Sequence, residues 1–225
     1  FRPGFSFSSI RLRFRELVPL SLPLTANRVL LGLLQGIEAV SIPGCLKLYN
    51  HSTSEALSTY GVLTGMALPC ILFPSAITNS VSIMLMPTVA ELQVKDQASG
   101  IRKLLQKVLG SCFLMGLFCC LFFLFFGQLI GQFLFASDLA GNFIITLAWI
   151  CPFLYVNGSL LSVLNGFGKT TTSFTINMVG LAIRIGSVFF AIPVFGIQGY
   201  LWGLLISQLA VSIYCSVVLK HLISA

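Results

Sequence analysis

The side chains that could do chemistry in this sequence are few, and the most telling of them stand where charge is costly. Arg28, Glu38 and Arg184 each lie inside a long apolar run. Placing an ionisable group there costs at least a few kcal/mol, roughly, so a use for it is expected. Two guanidiniums with one carboxylate would suit an anionic headgroup, since arginine holds phosphate by paired hydrogen bonds. The structural alternative is that Glu38 neutralises an arginine while Asn and Ser side chains tie helices together. Helical spacing groups these residues into strips. At about 100° per residue, Arg28 and Gln35 fall within about 20° of each other. Asn27 and Glu38 pair in the same way, roughly 80–100° further round, and Ser21 and Thr25 extend the strip. A second small and polar stripe runs through Ser173, Asn177, Gly180, Arg184, Ser187 and Ala191, opposite Ile176, Val179, Ile183, Phe189 and Phe190. Ser75, Thr78, Asn79 and Ser82 form a third beside Pro69, Pro74 and Pro87. Three polar strips in greasy segments predict a hydrated cavity, with Arg28, Gln35, Glu38, Asn79, Asn177 and Arg184 as its candidate substrate-binding residues.

Other apparent chemistry falls away. The run NGFGKTTT, residues 165–172, ends like a phosphate-binding loop. That loop needs glycine five residues before Gly168, where this chain has Val163, and it needs a strand before it rather than an apolar span. A helix–helix turn with glycine-permitted geometry is the better reading, so no nucleotide is expected. The loop acids Asp96 and Asp138 and the histidines His51 and His221 are scattered, so no acid–base or metal-assisted constellation forms. The seven cysteines lack paired CxxC spacing and mostly sit within apolar runs, as small buried fillers do. No metal, cofactor or enzymatic activity is implied.

The elements that must position the polar strips are membrane helices. The 225 residues are 56% hydrophobic and 8% charged, with a mean hydropathy of +0.97. A soluble domain carries about 25% charged residues, so this composition excludes one. A spanning helix needs about 20 mainly apolar residues, and six candidates fit: 17–42, 60–89, 106–130, 140–164, 174–194 and 197–219. The second, with its three prolines, is expected to be kinked or broken. The chain starts at Phe1 with no signal-peptide pattern, which reads as a piece of a longer protein.

Charge orients the bundle. Arg2, Arg11, Arg13, Arg15, Lys95, Arg102, Lys103, Lys107, Lys169 and Lys220 fall on one set of connections, and the opposite set holds only Lys47. Short cytoplasmic loops carry the excess of Lys and Arg, so both ends are expected in the cytoplasm. The net charge of +7 then reads as topology rather than nucleic-acid binding. Residues 1–16, with alternating basic and apolar positions, are expected to form a juxtamembrane anchor on anionic lipid.

Several stretches resemble one family. YGVLTGMALPCILFPSAITNSVSIMLMPTVAE (60–91) resembles the corresponding segment of the stage V sporulation protein B group. That group lies in the polysaccharide transporter branch of the multidrug/oligosaccharidyl-lipid/polysaccharide exporter superfamily. RVLLGLLQGIEAVSIPGCL, LNGFGKTTTSF and FGIQGYLWGLL are similar to its following helices, so the resemblance covers nearly the whole chain. It implies two six-helix lobes around a central cavity, working by alternating access. This chain would be the C-terminal lobe (17–225), residues 1–16 the inter-lobe linker, and the N-terminal lobe a missing partner. The implied function is a flippase in the bacterial cytoplasmic membrane, moving a polyprenyl-pyrophosphate-linked sugar for cell-wall, spore-envelope or polysaccharide synthesis. Arg28 and Arg184 would draw in the headgroup, Gln35, Asn79 and Asn177 would hydrogen-bond it, and Glu38 would balance charge. Cation-coupled drug export and a non-transporting envelope scaffold are the competing expectations.

Overall fold

A computed structural model of the chain describes residues 7–50, 52–94 and 98–224, with side-chain environments within 28–49, 52–94 and 100–222. Among these residues there is no strand. The order is α1 (Phe7–Asn50), α2 (Thr53–Val62), a π-helical turn (Leu63–Ala67), α3 (Leu68–Leu72), α4 (Ser75–Val94) and α5 (Ala98–Phe135). There follow α6 (Asp138–Ala148), α7 (Cys151–Gly166), α8 (Thr170–Phe190), α9 (Ile192–Phe195) and α10 (Ile197–Ser224).

Five stretches are long and apolar enough to cross a bilayer: Arg28–Tyr49, Thr53–Leu72, Gly100–Phe135, Thr170–Phe190 and Ile197–Leu222. The α6–α7 pair, bent by 55°, makes a sixth when counted as one span. The chain is thus a multi-pass all-α membrane protein. Its surface agrees: Phe73 and Phe190 are 82% exposed and Phe125 and Phe133 81%, which only a hydrocarbon solvent tolerates in such numbers.

The start of the first expected span, at 17, falls among side chains outside the described residues, within which the apolar window runs Arg28–Tyr49. The second is Thr53–Leu72, and α4 is a separate helix after a turn at Phe73–Pro74. Pro74 lacks an N–H and its ring opposes helix continuation, so the expected break falls there. Pro87, by contrast, lies within α4. The break frees carbonyls that must find other donors. Tyr155 of α7 donates its hydroxyl to the Ile71 carbonyl at 2.8 Å, and Ser75 donates to the Leu72 carbonyl at 2.6 Å.

The glycine-rich run after α7 is a helix-terminating turn. Gly168 adopts φ 73°, its N–H bonds the Asn165 carbonyl at 3.0 Å, and the Lys169 N–H bonds the Leu164 carbonyl at 3.0 Å. That six-to-one closure on a left-handed glycine ends α7 and starts α8. Its amides are spent on α7 carbonyls and cannot cradle a phosphate. Gly196 (φ 62°) makes the matching turn into α10, where a Cβ would stand 2.8 Å from the Tyr49 ring.

The axis of the bundle is α7, which packs on α4, α5, α8 and α10. Two apolar cores lie towards its opposite ends. One gathers Ile42, Leu46, Leu63, Phe143, Ile144, Val188 and Leu201. The other gathers Val89, Ile101, Leu105, Val163, Leu164, Ile176 and Leu219. At this second end α4, α7 and α10 finish while α5 and α8 begin, so Arg102, Lys103, Lys107, Lys169 and Lys220 collect there.

Close approach between helices relies on missing side chains. Gly127 and Gly131 of α5 form a GxxxG face against α6. A Cβ on Gly131 would lie 2.4 Å from the Gly141 nitrogen and 2.5 Å from its Cα. Backbone cannot retreat as a flexible side chain does. Gly131→Val is therefore expected to separate α5 from α6 and to cost about 1–3 kcal/mol, read as a lower midpoint of thermal unfolding in detergent. Gly110→Val, where nothing lies within 4 Å of the added carbon, is the matched control and should leave it nearly unchanged.

Candidate functional site: a carboxamide-lined cavity around a neutralised arginine

Between the two apolar cores lies a polar layer. Its centre is Glu38 of α1, 3% exposed. Arg184 of α8 grips this carboxylate from Nε to Oε1 at 2.8 Å and from Nη2 to Oε2 at 2.5 Å. Tyr200 of α10 adds its hydroxyl to Oε1 at 2.8 Å. Burying an ion pair is costly unless geometry is good and remaining lone pairs are satisfied. Both conditions hold, because the fork is bidentate and the third donor comes from another helix. The result is a three-helix tie with no net charge.

Arg184 also borders a cavity of about 350 Å³. The lining brings together four of the residues expected from sequence: Gln35 (α1), Asn79 (α4), Asn177 and Arg184 (α8). Asn157 of α7 and Gln208 of α10 complete a ring of five carboxamides around the guanidinium. Asn157 is 4% exposed and donates from Nδ2 to the Gln208 Oε1 at 2.6 Å and to the Gln208 carbonyl at 3.0 Å. Its Oδ1 is buried without a partner. A buried acceptor left unpaired costs roughly 1–3 kcal/mol, so this atom marks where a donor would be welcome.

The remaining expected residues sit apart from the lining. Glu38 lies behind Arg184 as its counter-ion. Arg28 is exposed on α1 and does not border the cavity. It stands two turns along the same helix face as Gln35, about 10 Å away along the axis. Of the third strip only Asn79 reaches the cavity. Thr78 and Ser82 turn to bond the carbonyls of Ser75 and Thr78, and Ser82 meets Ser159 of α7 at 2.9 Å. Asn27, Thr25 and Ser21 fall outside the described side chains. Asn157, Gln208 and Tyr200 were not singled out from sequence. Each is a polar group in an otherwise apolar run, and that was the available signal.

Chemically, the cavity presents carboxamide donors and acceptors together with the guanidinium N–H groups that Glu38 leaves free. No group of three or more His, Cys, Asp or Glu side chains able to hold a metal occurs among the described residues. The arrangement can bind hydrogen-bonding groups of little or no charge.

Removing one member of the tie should leave the other buried and uncompensated. Arg184→Met alone is expected to cost about 3 kcal/mol, and Glu38→Met with Arg184→Met together distinctly less than the sum. Tyr200→Phe should cost about 1.5 kcal/mol, as loss of a hydrogen bond to a charged group does. A double-mutant cycle from unfolding in detergent micelles measures all three; simple additivity would show that the pair does not act as a unit.

Comparison with known proteins gives relatives in sequence and in fold. No family model matches the chain. It is 26% identical over 188 residues to stage V sporulation protein B of Bacillus subtilis, covering 83% of this chain and 36% of that protein. It is 26% identical over 93 residues to sporulation protein YkvU of the same organism, covering 41% of this chain and 21% of that one. The chain thus spans little more than a third of the first relative's length. Its fold matches that of a MOP superfamily transporter from Pyrococcus furiosus with a TM-score of 0.67 at 16% identity, over 88% of this chain and 43% of the other. The chain is thus similar over most of its length to stage V sporulation protein B and shares its helical fold with a MOP superfamily transporter.

Proposed function

We propose that this chain is the C-terminal six-helix lobe of a flippase that moves a lipid-linked sugar across the bacterial cytoplasmic membrane. An N-terminal lobe would close the transport path, and both ends of the chain would face the cytoplasm. The observation that carries the substrate reading is the ring of five carboxamides around an arginine already neutralised by Glu38. Carboxamides offer donors and acceptors together, as hydroxyl and acetamido groups of a sugar require. Arg184, spending two N–H groups on Glu38, acts in this reading as a hydrogen-bond donor to sugar rather than as a free cation for pyrophosphate. Recognition of the pyrophosphate would then fall to Arg28, further along the same face, and to the other lobe. Alternating access would follow from the helix break at Phe73–Pro74, with substrate binding the two states unequally.

Cation-coupled drug export is the weaker reading. It calls for a free carboxylate in the cavity, whereas both Glu38 oxygens are engaged.

The test is exposure of lipid-linked sugar headgroups at the outer face of cells that depend on the full-length protein. Asn157→Leu and Asn177→Leu are each expected to lower exposure about tenfold, the loss of one or two hydrogen bonds to substrate, with the protein still present in the membrane and dye efflux unaltered. Wild-type exposure in both variants would refute the cavity as the substrate site. Lost dye efflux with normal headgroup exposure would favour the drug exporter.

A further inference from the structure

A second cavity lies towards the basic end of the bundle, on another face of α7 from the carboxamide ring. Helices α5 and α10 both pack on α7 and scarcely touch each other there. The cleft between them holds about 360 Å³. From α5, Arg102, Leu105, Gln106 and Leu109 face it at spacings of three, four and seven residues, which is one helical face. From α10 come Ser216, Leu219 and Lys220, and Leu160 of α7 forms the floor. Among the described residues no Asp or Glu borders it.

Polarity changes along the cleft in one direction. Arg102 and Lys220 stand at the mouth, because α5 begins and α10 ends at this end of the bundle. Leu109 lies about 10 Å deeper than Arg102 along α5. Charge-free stretches run inward from Val108 in α5 and from Leu219 in α10. Arg102 and Lys220 therefore stand at the outer end of the cleft and Leu109 at its inner end. A soluble anion would leave the leucines unused, and an apolar helix would leave two cations facing hydrocarbon.

We propose that this cleft is a binding site for one anionic phospholipid, its phosphate held by Arg102 and Lys220 and an acyl chain laid along Leu105, Leu109 and Leu160. Basic pockets between membrane helices hold such headgroups by charge and hydrogen bonding together. The neighbouring Lys103 and Lys107 do not line the cleft, so the site is distinct from the general attraction of a basic surface. Occupancy would join α5 to α10 across a gap that protein contacts leave open.

Native mass spectrometry of the full-length protein, with phosphatidylglycerol and phosphatidylcholine of equal chain length, tests this. One phosphatidylglycerol is expected to be retained roughly tenfold more strongly than phosphatidylcholine. Arg102→Gln with Lys220→Gln should abolish that preference, while Lys103→Gln with Lys107→Gln should keep it. All four positions are exposed or outside the apolar cores, and unchanged unfolding midpoints confirm that the variants fold. Equal retention of the two lipids would overturn the proposal. So would equal loss in both double variants, which would mean diffuse attraction. Displacement of the lipid by glycerol phosphate alone, at the same concentration as whole lipid, would mean a free-phosphate site and would overturn it too.

Discussion

The arrangement of this bundle turns on the closure of one buried carboxylate. Glu38 would be prohibitively costly among apolar helices if left alone. Its bidentate partner Arg184 and its third donor Tyr200 come from α8 and α10, so satisfying one side chain fixes three helices at one height. The same closure sets the electrostatics of the adjacent cavity. Arg184 reaches it with its charge already balanced, and everything else that lines the polar part is a carboxamide, a hydroxyl or backbone.

The polar layer has a price that the two apolar cores offset. Towards one end lie Phe143, Ile144 and Leu201, towards the other Val163, Leu164 and Leu219. Between them Ser82 and Ser159 bond each other, Cys112 meets Ser159 at 3.4 Å, and Ser207 donates to the Gly180 carbonyl at 2.8 Å. Such small polar groups let helices approach while each satisfies another. Asn157, which lines the cavity, and Ser173 of α8 are exceptions among the described residues, since Asn157 Oδ1 and Ser173 Oγ are buried without a partner.

Much of this was legible in the sequence, for reasons that can be stated. Apolar length and charge deficit set the membrane class and the number of spans. Helical spacing placed Gln35, Asn79, Asn177 and Arg184 on inward strips, and all four line one cavity. What periodicity cannot give is azimuth between helices. It put Arg28 and Arg184 in one class, whereas only Arg184 borders the cavity and only Arg184 meets Glu38. It set Ser75, Thr78 and Ser82 beside Asn79, although their short side chains bond their own helix or α7. Tyr200 and Gln208 lie on α10, whose polar residues form no continuous stripe, so only their polarity within an apolar run marks them. The GKT run misled only until its context was read, and the amides of Gly168 and Lys169 turn out to be spent on closing α7.

The proposed flippase function turns on which part of a lipid-linked sugar would enter the carboxamide ring. A structure of the full-length protein with a lipid-linked sugar bound measures this directly. The account predicts a sugar ring in the cavity, with a hydroxyl or amide donor within hydrogen-bond distance of Asn157 Oδ1 and the Glu38–Arg184 pair intact. A pyrophosphate seated on Arg184, with Glu38 displaced from it, would contradict the account.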